Sequence, residues 1–139
     1  MFKTVLFPID RSPESREAAD MVAKVVKTHH SKLVLLSVVE SLEAEDTPTT
    51  LAEQEMASPQ AIAELLATAK SLFSNLGIEA EVVERQGKPA FTICDVADEI
   101  SADLIIMGCR GLGLTEEGVH DSVTNRVINL SPCPVLIVP

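Results

Sequence analysis

Residues 104–107 read Leu-Ile-Ile-Met, and Gly108 follows them directly. Four consecutive apolar side chains are typical of a strand that is buried on both faces, because a strand with one solvated face alternates apolar and polar residues. Sheets that are buried on both faces are mostly parallel and carry helices on each side. This short run therefore predicts an α/β protein.

Similar runs recur along the chain, and segments with a helical period lie between them. The pairs Ser12-Pro13 and Ser58-Pro59 are read as helix starts, because a serine cap followed by proline favours the first helical turn. Further helices are expected after Pro89, over 91–100, and over 122–130. The predicted strands are residues 4–9, 33–39, 78–84, 104–107 and 135–138.

The helix that begins at Ser58-Pro59 has the clearest apolar periodicity in the chain. Its apolar residues recur at spacings of three and four, and Gly77 is expected to end it. The last helix has a shorter apolar face of the same kind. The residues predicted to face the core are Ile62, Leu65, Leu66, Ala69, Leu72, Phe73 and Leu76 in the first of these helices, and Val123, Val127 and Ile128 in the second.

Strands that alternate with long helical segments indicate βαβ crossovers. We therefore expect one domain over residues 1–139, built on a single open five-stranded parallel sheet with helices on both faces. Residues 41–57 are polar and acidic, and we expect them to form a mobile surface loop. The last strand, 135–138, is expected at a sheet edge, where an unpaired apolar strand favours a symmetric homodimer.

The composition of the chain excludes several classes of function. The 139 residues carry 11 Lys and Arg against 21 Asp and Glu, a net charge of −10, and include neither Trp nor Tyr. Without a basic stripe or an aromatic stacking surface, nucleic acid is excluded as a partner. The three cysteines form no C-x-x-C pair, which indicates reduced thiols and no zinc site. No signal-peptide pattern and no apolar run of about 18 residues occurs, so we expect a cytoplasmic protein without membrane contact.

Ligands of open parallel sheets bind at the carboxyl ends of the strands, so the residues after each strand are the candidate site residues. The richest such segment is 108–122, which has four glycines ahead of a helix. A loop of this kind presents backbone N–H groups to an anion at the helix N-terminus. Neither standard phosphate-loop spacing is met, so the glycines alone leave phosphate binding and an ordinary glycine-rich loop both open.

The whole arrangement resembles the universal stress protein family. The resemblance rests on the first strand with its closing Asp10, on the sequence 131–138, Ser-Pro-Cys-Pro-Val-Leu-Ile-Val, and on the glycine loop. The ATP-binding branch of the family has Gly, two residues, Gly, nine residues, Gly, then Ser or Thr. This chain has Gly108, Gly111 and Ser122 at matching positions, and Asp121 stands where the family has its third glycine.

The resemblance implies a Rossmann-like, dimeric stress-response regulator that binds an adenine nucleotide (ATP, ADP or AMP) with little or no catalysis. It assigns Asp10 to the ribose, Pro8 and Ile9 to the nucleoside, and Val39 backbone groups to the adenine edge. The other implied contacts lie at the loop: Met107 and Gly108 beside the ribose and phosphates, and Gly111, Ser122 and Val123 on the phosphates. Arg110 is the one obvious cation in this loop.

Asp121 leaves three outcomes open. It caps the last helix and thereby removes the anion site, or a divalent ion such as Mg²⁺ bridges it to a phosphate, or the site takes a ligand with less phosphate charge. A carboxylate about 4 Å from a phosphate oxygen repels it by roughly 1 kcal/mol in water and by about 4 kcal/mol near a protein surface. The alternative function is a stress protein dimer that binds no nucleotide and acts through protein partners.

Overall fold

Five parallel strands form a sheet with helices on both faces, which confirms the predicted α/β architecture. The structure is a computed structural model, and it describes residues 2–9, 13–39, 59–108 and 123–139. The strands are β1 (Thr4–Pro8), β2 (Lys32–Val39), β3 (Ala80–Gln86), β4 (Leu104–Gly108) and β5 (Val135–Val138), and the helices of the described part are α1 (Pro13–His29), α2 (Pro59–Asn75), α3 (Pro89–Glu99) and α4 (Val123–Leu130).

The order of the strands in the sheet is β3-β2-β1-β4-β5. From β1 the chain runs to β2 and β3 on one side, and it then returns to place β4 and β5 on the other. The strand order therefore reverses between β1 and β4, which is the position where open α/β sheets bind their ligands. The predicted edge position of β5 is confirmed, and β3 forms the opposite edge.

Alternate residues of each strand contribute to two separate hydrophobic clusters, because successive side chains of a strand point to opposite faces. On β1, Val5 and Phe7 pack with α1 and α2, whereas Leu6 packs with α3 and α4. On β4, Ile105 and Ile106 divide between the two clusters in the same way, and both are fully buried. The apolar run at 104–107 is thus buried on both faces, as its composition predicts.

The third strand differs from its predicted bounds. It begins at Ala80 and not at Ile78, because Gly77 has a φ of 81° and the chain reaches its extended conformation only after this turn. Ile78 is nevertheless buried in the core. At its other end β3 extends to Gln86, which pairs with Val39 at the end of β2.

Three residues predicted to face the core are exposed. Leu72 and Leu76 of the α2 segment are 47% and 38% exposed, and Ile128 of α4 is 51% exposed. Helix α2 packs on β2 and β3, so it covers the edge of the sheet and buries only a narrow stripe. In α4 the neighbouring Val127 is fully buried, and a step of one residue turns Ile128 about 100° away from it.

The predicted mobile loop, 41–57, lies outside the described residues, and so does the glycine-loop segment 109–122. None of the helices in the described part of the chain is long and apolar enough to span a membrane.

Candidate functional site

The strands β1 and β4 pair over only part of their length. Within these two strands, paired residues are found at Val5 with Leu104 and at Leu6 with Ile105. Both strands continue beyond this point, β1 to Pro8 and β4 to 108, whereas β1 stays paired with β2 along all five of its residues. A gap in the backbone pairing therefore lies at the carboxyl end of the sheet, where the strand order reverses.

Pro8 explains why this pairing ends. The backbone groups of successive strand residues point to opposite neighbouring strands, and the carbonyl of Thr4 accepts a hydrogen bond from the N–H of Asp103, next to β4. Pro8 is four residues later and faces β4 as well, whereas the N–H of Ile9 donates to the carbonyl of Leu36 on β2 at 2.8 Å. Since proline has no N–H, β1 offers β4 no donor at this position.

Ile9 holds the first strand against β2 just before the predicted ribose residue, Asp10. Its side chain is buried in the cluster below α1, and its N–H is engaged by Leu36. The backbone of Ile9 is thus fixed on the β2 side, while the side that faces β4 is unpaired beyond Leu6. Asp10 itself lies outside the described residues.

The end of β4 lies next to the beginning of α4. Met107 is buried in the cluster below α3 and α4, and Gly108 is partly exposed. The hydroxyl of Thr124, the second residue of α4, lies 3.4 Å from the carbonyl oxygen of Gly108, a long hydrogen bond. This contact brings the N-terminus of α4, with its positive end of the helix dipole, to the carboxyl end of β4.

The carboxyl end of β2 is held by a hydrogen bond from the β3 side. The carbonyl of Val39 accepts a 2.9 Å hydrogen bond from the N–H of Gly87, which follows β3. Gly87 has a φ of 151°, and it lies against the first turn of α3. Val39 is therefore tied to the β3 side, and its position depends on the turn that joins β3 to α3.

Six of the predicted site residues belong to the described part of the chain, and all six lie at or near the carboxyl end of the sheet. Pro8, Ile9 and Val39 end the two central strands on one side of the gap. The three on the other side are Met107, Gly108 and Val123. The remaining five, Asp10, Arg110, Gly111, Asp121 and Ser122, lie outside the described residues.

Two residues that help to build this end of the sheet were missed by the sequence reasoning. Gly87 and Thr124 hold the ends of β2 and β4 through the hydrogen bonds described above. The signal for Gly87 was present, because a glycine two residues before a helix-opening proline indicates a tight strand-to-helix turn. Thr124 carried no such signal, since a threonine in a first helical turn is ordinary.

The structure describes two of the three cysteines, the buried Cys94 and the partly buried Cys133. Burial raises the pKa of the Cys94 thiol, and the nearby Asp95 raises it further. Burial also raises the pKa of the Cys133 thiol, although a hydrogen bond with Ser131 partly opposes the shift. Thiols with raised pKa values are poor nucleophiles and poor metal ligands at neutral pH.

Among the described residues, no group of three or more His, Cys, Asp or Glu side chains is arranged to hold a metal ion.

Comparison with known proteins identifies relatives over the full length of the chain. The model of the "Universal stress protein family" matches residues 1–139. Universal stress protein Sll1654 of Synechocystis sp. is 61% identical over 140 residues, which cover 100% of this chain and 87% of that protein. Universal stress protein YxiE of Bacillus subtilis is 32% identical over 149 residues, which cover 99% of each chain.

A solved structure shares the fold closely. The crystal structure of a universal stress protein in complex with cAMP has a TM-score of 0.79 and 26% sequence identity with this chain. The similarity covers 99% of this chain and 97% of that one. The shared fold thus extends over the whole sheet and is not limited to one βαβ unit.

Proposed function

The chain belongs to the universal stress protein family, and we propose that it is a cytoplasmic stress-response regulator that binds an adenine nucleotide at the carboxyl end of its sheet. The observation that carries this proposal is the gap between β1 and β4, where pairing stops after Leu6 and Ile105. Open α/β sheets bind their ligands in the crevice outside the carboxyl ends of the strands, at the point where the strand order reverses, and this gap lies there. The related protein in complex with cAMP supports an adenine ligand.

The nucleoside half of the proposed site lies along the end of β1. Pro8 and Ile9 form its floor, Asp10 accepts hydrogen bonds from the ribose hydroxyls, and backbone groups near Val39 contact the adenine edge. A short carboxylate suits two adjacent hydroxyls, because each of its oxygens accepts one hydrogen bond. The described backbone supports this assignment, since the N–H of Ile9 is already held by Leu36 and the chain enters position 10 from a fixed point.

The phosphate half lies between the end of β4 and the start of α4. Gly108, Gly111 and Ser122, together with the N–H groups at the start of α4, hold the phosphates in this proposal, and Met107 borders the ribose. The contact between Thr124 and Gly108 supports it, because it brings a helix N-terminus next to the strand end. Arg110 supplies a cation to the same loop.

Asp121 decides which nucleotide binds best. A carboxylate in the phosphate half favours a ligand with few phosphate charges, so we propose AMP or a cyclic nucleotide ahead of ADP and ATP. In this scheme ATP binding would require a divalent cation such as Mg²⁺, which Asp121 would help to hold. The chemistry that Mg²⁺ supplies here is charge neutralisation.

Little or no catalysis is expected at this site. Phosphoryl transfer to water needs a group that positions the water and cations that neutralise the phosphates. The loop at 108–122 contains a single arginine and no lysine, and its acidic residues oppose the build-up of negative charge. Release of inorganic phosphate above a buffer blank that disappears in Ser122→Ala would overturn this part of the proposal.

The proposed homodimer forms through β5. This strand lies at a sheet edge, and each of its residues, Val135–Val138, is only partly buried within the protomer. An aliphatic edge strand with unpaired backbone groups is stabilised when a second copy pairs with it.

The same surface would serve the alternative function, a stress protein dimer that binds no nucleotide and acts through protein partners. The acidic residues Glu116, Glu117 and Asp121 favour that alternative, since they repel an anionic ligand.

Isothermal titration calorimetry with ATP, ADP, AMP, cAMP and adenosine, each with and without Mg²⁺, tests the proposal. We expect saturable binding of AMP or cAMP without Mg²⁺, and binding of ATP that depends on Mg²⁺. Absence of heat for every ligand up to high micromolar concentrations would reject nucleotide binding and leave the alternative function.

A further inference from the structure

We infer that Gly87 is a positioning residue for the nucleoside half of the site. This inference rests on the proposed function, because Gly87 acts through Val39 and touches no ligand itself. Its N–H donates a 2.9 Å hydrogen bond to the carbonyl of Val39, one step beyond the last paired residues of β2 and β3, Val39 with Gln86. Gly87 therefore holds the end of β2 at the edge of the proposed adenine position.

Two independent features of the backbone require glycine at this position. The φ of Gly87 is 151°, a conformation that residues with a side chain rarely adopt. In addition, a Cβ atom placed on Gly87 would lie 2.7 Å from the hydroxyl oxygen of Thr92. That distance is far below van der Waals contact, so a side chain at position 87 requires movement of one of the two partners.

The backbone of Thr92 is held by helix α3. Thr92 lies in the first turns of the helix, where its N–H donates to the carbonyl of Lys88 at 2.9 Å, and its side chain has only two main χ1 rotamers in a helix. The same helix is anchored by Ala90 and Ile93, which are both buried. We therefore expect a side chain at position 87 to displace the strand-to-helix turn and not the helix.

Displacement of this turn changes the end of β2. The hydrogen bond from Gly87 is lost or lengthened, and Val39 loses the contact that holds it towards β3. The floor of the nucleoside half, Pro8 and Ile9, is unaffected, because it is held by Leu36 through a different part of β2. The phosphate half lies across the gap on β4 and α4 and is also unaffected.

The variant Gly87→Ala tests the inference, and Gly77→Ala is its matched control. Gly77 also has a positive φ, 81°, but a Cβ placed there meets nothing within 4 Å, and it precedes β3 at the opposite end of the sheet. Both variants carry backbone strain, so we expect both to lower the urea midpoint of unfolding. Only Gly87→Ala is expected to weaken nucleotide binding.

Calorimetry with AMP and with adenosine provides the readout. We expect Gly87→Ala to lower the affinity for both ligands by the same factor, about tenfold, because the lost contacts are those to the nucleoside that the two ligands share. Gly77→Ala is expected to stay within about twofold of the wild type. Addition of Thr92→Ala to Gly87→Ala removes the close contact and should recover part of the affinity.

Each other outcome has a defined meaning. Wild-type affinity in folded Gly87→Ala, or an equal loss in Gly77→Ala, overturns the positioning role and leaves the proposed function intact. Absence of binding by the wild-type protein overturns the proposed function, and the inference is lost with it.

A second measurement uses the wild-type protein alone and does not depend on the folding of a variant. In ¹⁵N-labelled protein, saturating AMP should shift the amide resonance of Gly87, because its acceptor, Val39, borders the ligand. The amide resonance of Gly77 should not move. A stationary Gly87 resonance in the presence of bound AMP would contradict the inference.

Discussion

Pro8 is paired with Leu36 of β2, but it has no paired residue on β4, although β4 continues beside it to Gly108. The backbone nitrogen of Pro8 faces β4 and carries no hydrogen that it could donate. A proline in a central strand is unusual, even at its last residue, because it removes a hydrogen bond from the ladder. In this sheet the loss coincides with the place where a ligand is proposed to enter.

Substitution Pro8→Val is expected to close part of the gap. Valine supplies an N–H towards β4 and favours a strand, so the pairing of β1 with β4 should extend by one hydrogen bond and AMP affinity should fall about fivefold. The new hydrogen bond should add about 1 kcal/mol to the free energy of unfolding. This gain is offset because an unfolded chain without the proline has a higher conformational entropy. Calorimetry and urea unfolding measure the two effects separately.

The control for this substitution is Pro132→Ala, in the exposed turn between α4 and β5 at the other end of the sheet. It should leave AMP affinity unchanged. If folded Pro8→Val binds AMP as well as the wild type does, the gap is not the entrance to the nucleoside half.

Asp121→Gly is expected to increase nucleotide affinity, and the increase should grow with the number of phosphate charges. Removal of one carboxylate near a phosphate oxygen is worth roughly 1 to 4 kcal/mol, which predicts a gain of at least about fivefold for ATP and none for adenosine. The gain should shrink at high salt, because the repulsion is screened. Calorimetry at two ionic strengths measures both trends.

A matched control for the loss of one negative charge is Glu79→Gln, an exposed residue just before β3, at the amino end of the sheet. It should change ATP affinity very little. An equal gain in Glu79→Gln would show that net charge, and not the position of Asp121, limits binding.

Ile137→Lys is expected to weaken the homodimer more than it weakens the fold. Ile137 is half buried on the edge strand β5, where a lysine side chain reaches solvent in the monomer but is trapped in a paired interface. Light scattering at micromolar concentration should give twice the 14.9 kDa chain mass for the wild type and a lower mass for the variant.

Val82→Lys places the same charge on the opposite edge strand, β3, at a position that is already 42% exposed. It should leave the mass in solution unchanged. A wild-type protein that is monomeric at micromolar concentration would refute the proposed dimer directly.

The two thiols of the described residues are expected to react slowly in the folded protein. Burial raises the pKa of Cys94 and of Cys133, so each has less thiolate at pH 8 than a free cysteine has. The third cysteine, Cys109, is replaced by serine so that only these two thiols are measured. In that variant we expect Ellman's reagent to react with them at least about tenfold more slowly in the folded protein than in the urea-unfolded chain. Equal rates in the two states would show that these thiols are accessible.

The raised pKa values also predict a pH dependence of stability. A group whose folded pKa lies above its unfolded value of 9.0 stabilises the fold below that pH, and the stabilisation is lost as the pH rises through the folded pKa. The urea midpoint should therefore fall between pH 8 and pH 10. The fall should be smaller when Cys94 and Cys133 are both replaced by serine, because that variant lacks the two thiols whose pKa values are raised.

The local sequence was sufficient to determine the fold class. The run at 104–107 indicated a buried parallel strand, and Pro13, Pro59 and Pro89 each stand at the start of a helix in the structure. These features depend on side-chain periodicity and on helix-terminus chemistry, which act over a few residues and are therefore readable from a single chain. The closing strand at 135–138 was identified in the same way.

Features that depend on which elements become neighbours required the tertiary structure. The exposure of Leu72 and Ile128 reflects how much of each helix the sheet covers, which helical periodicity does not contain. The role of Pro8 depends on the strand order, which places β4 and not β2 on the side where proline lacks an N–H donor. The sequence contains the proline, but it does not show which strand lies beside it. In the same way, Gly87 meets Thr92 and Val39 only because β3 lies beside β2 and turns directly into α3. Strand order is set by contacts between residues far apart in the chain, whose free energies are summed over the whole sheet, and no local pattern records that sum.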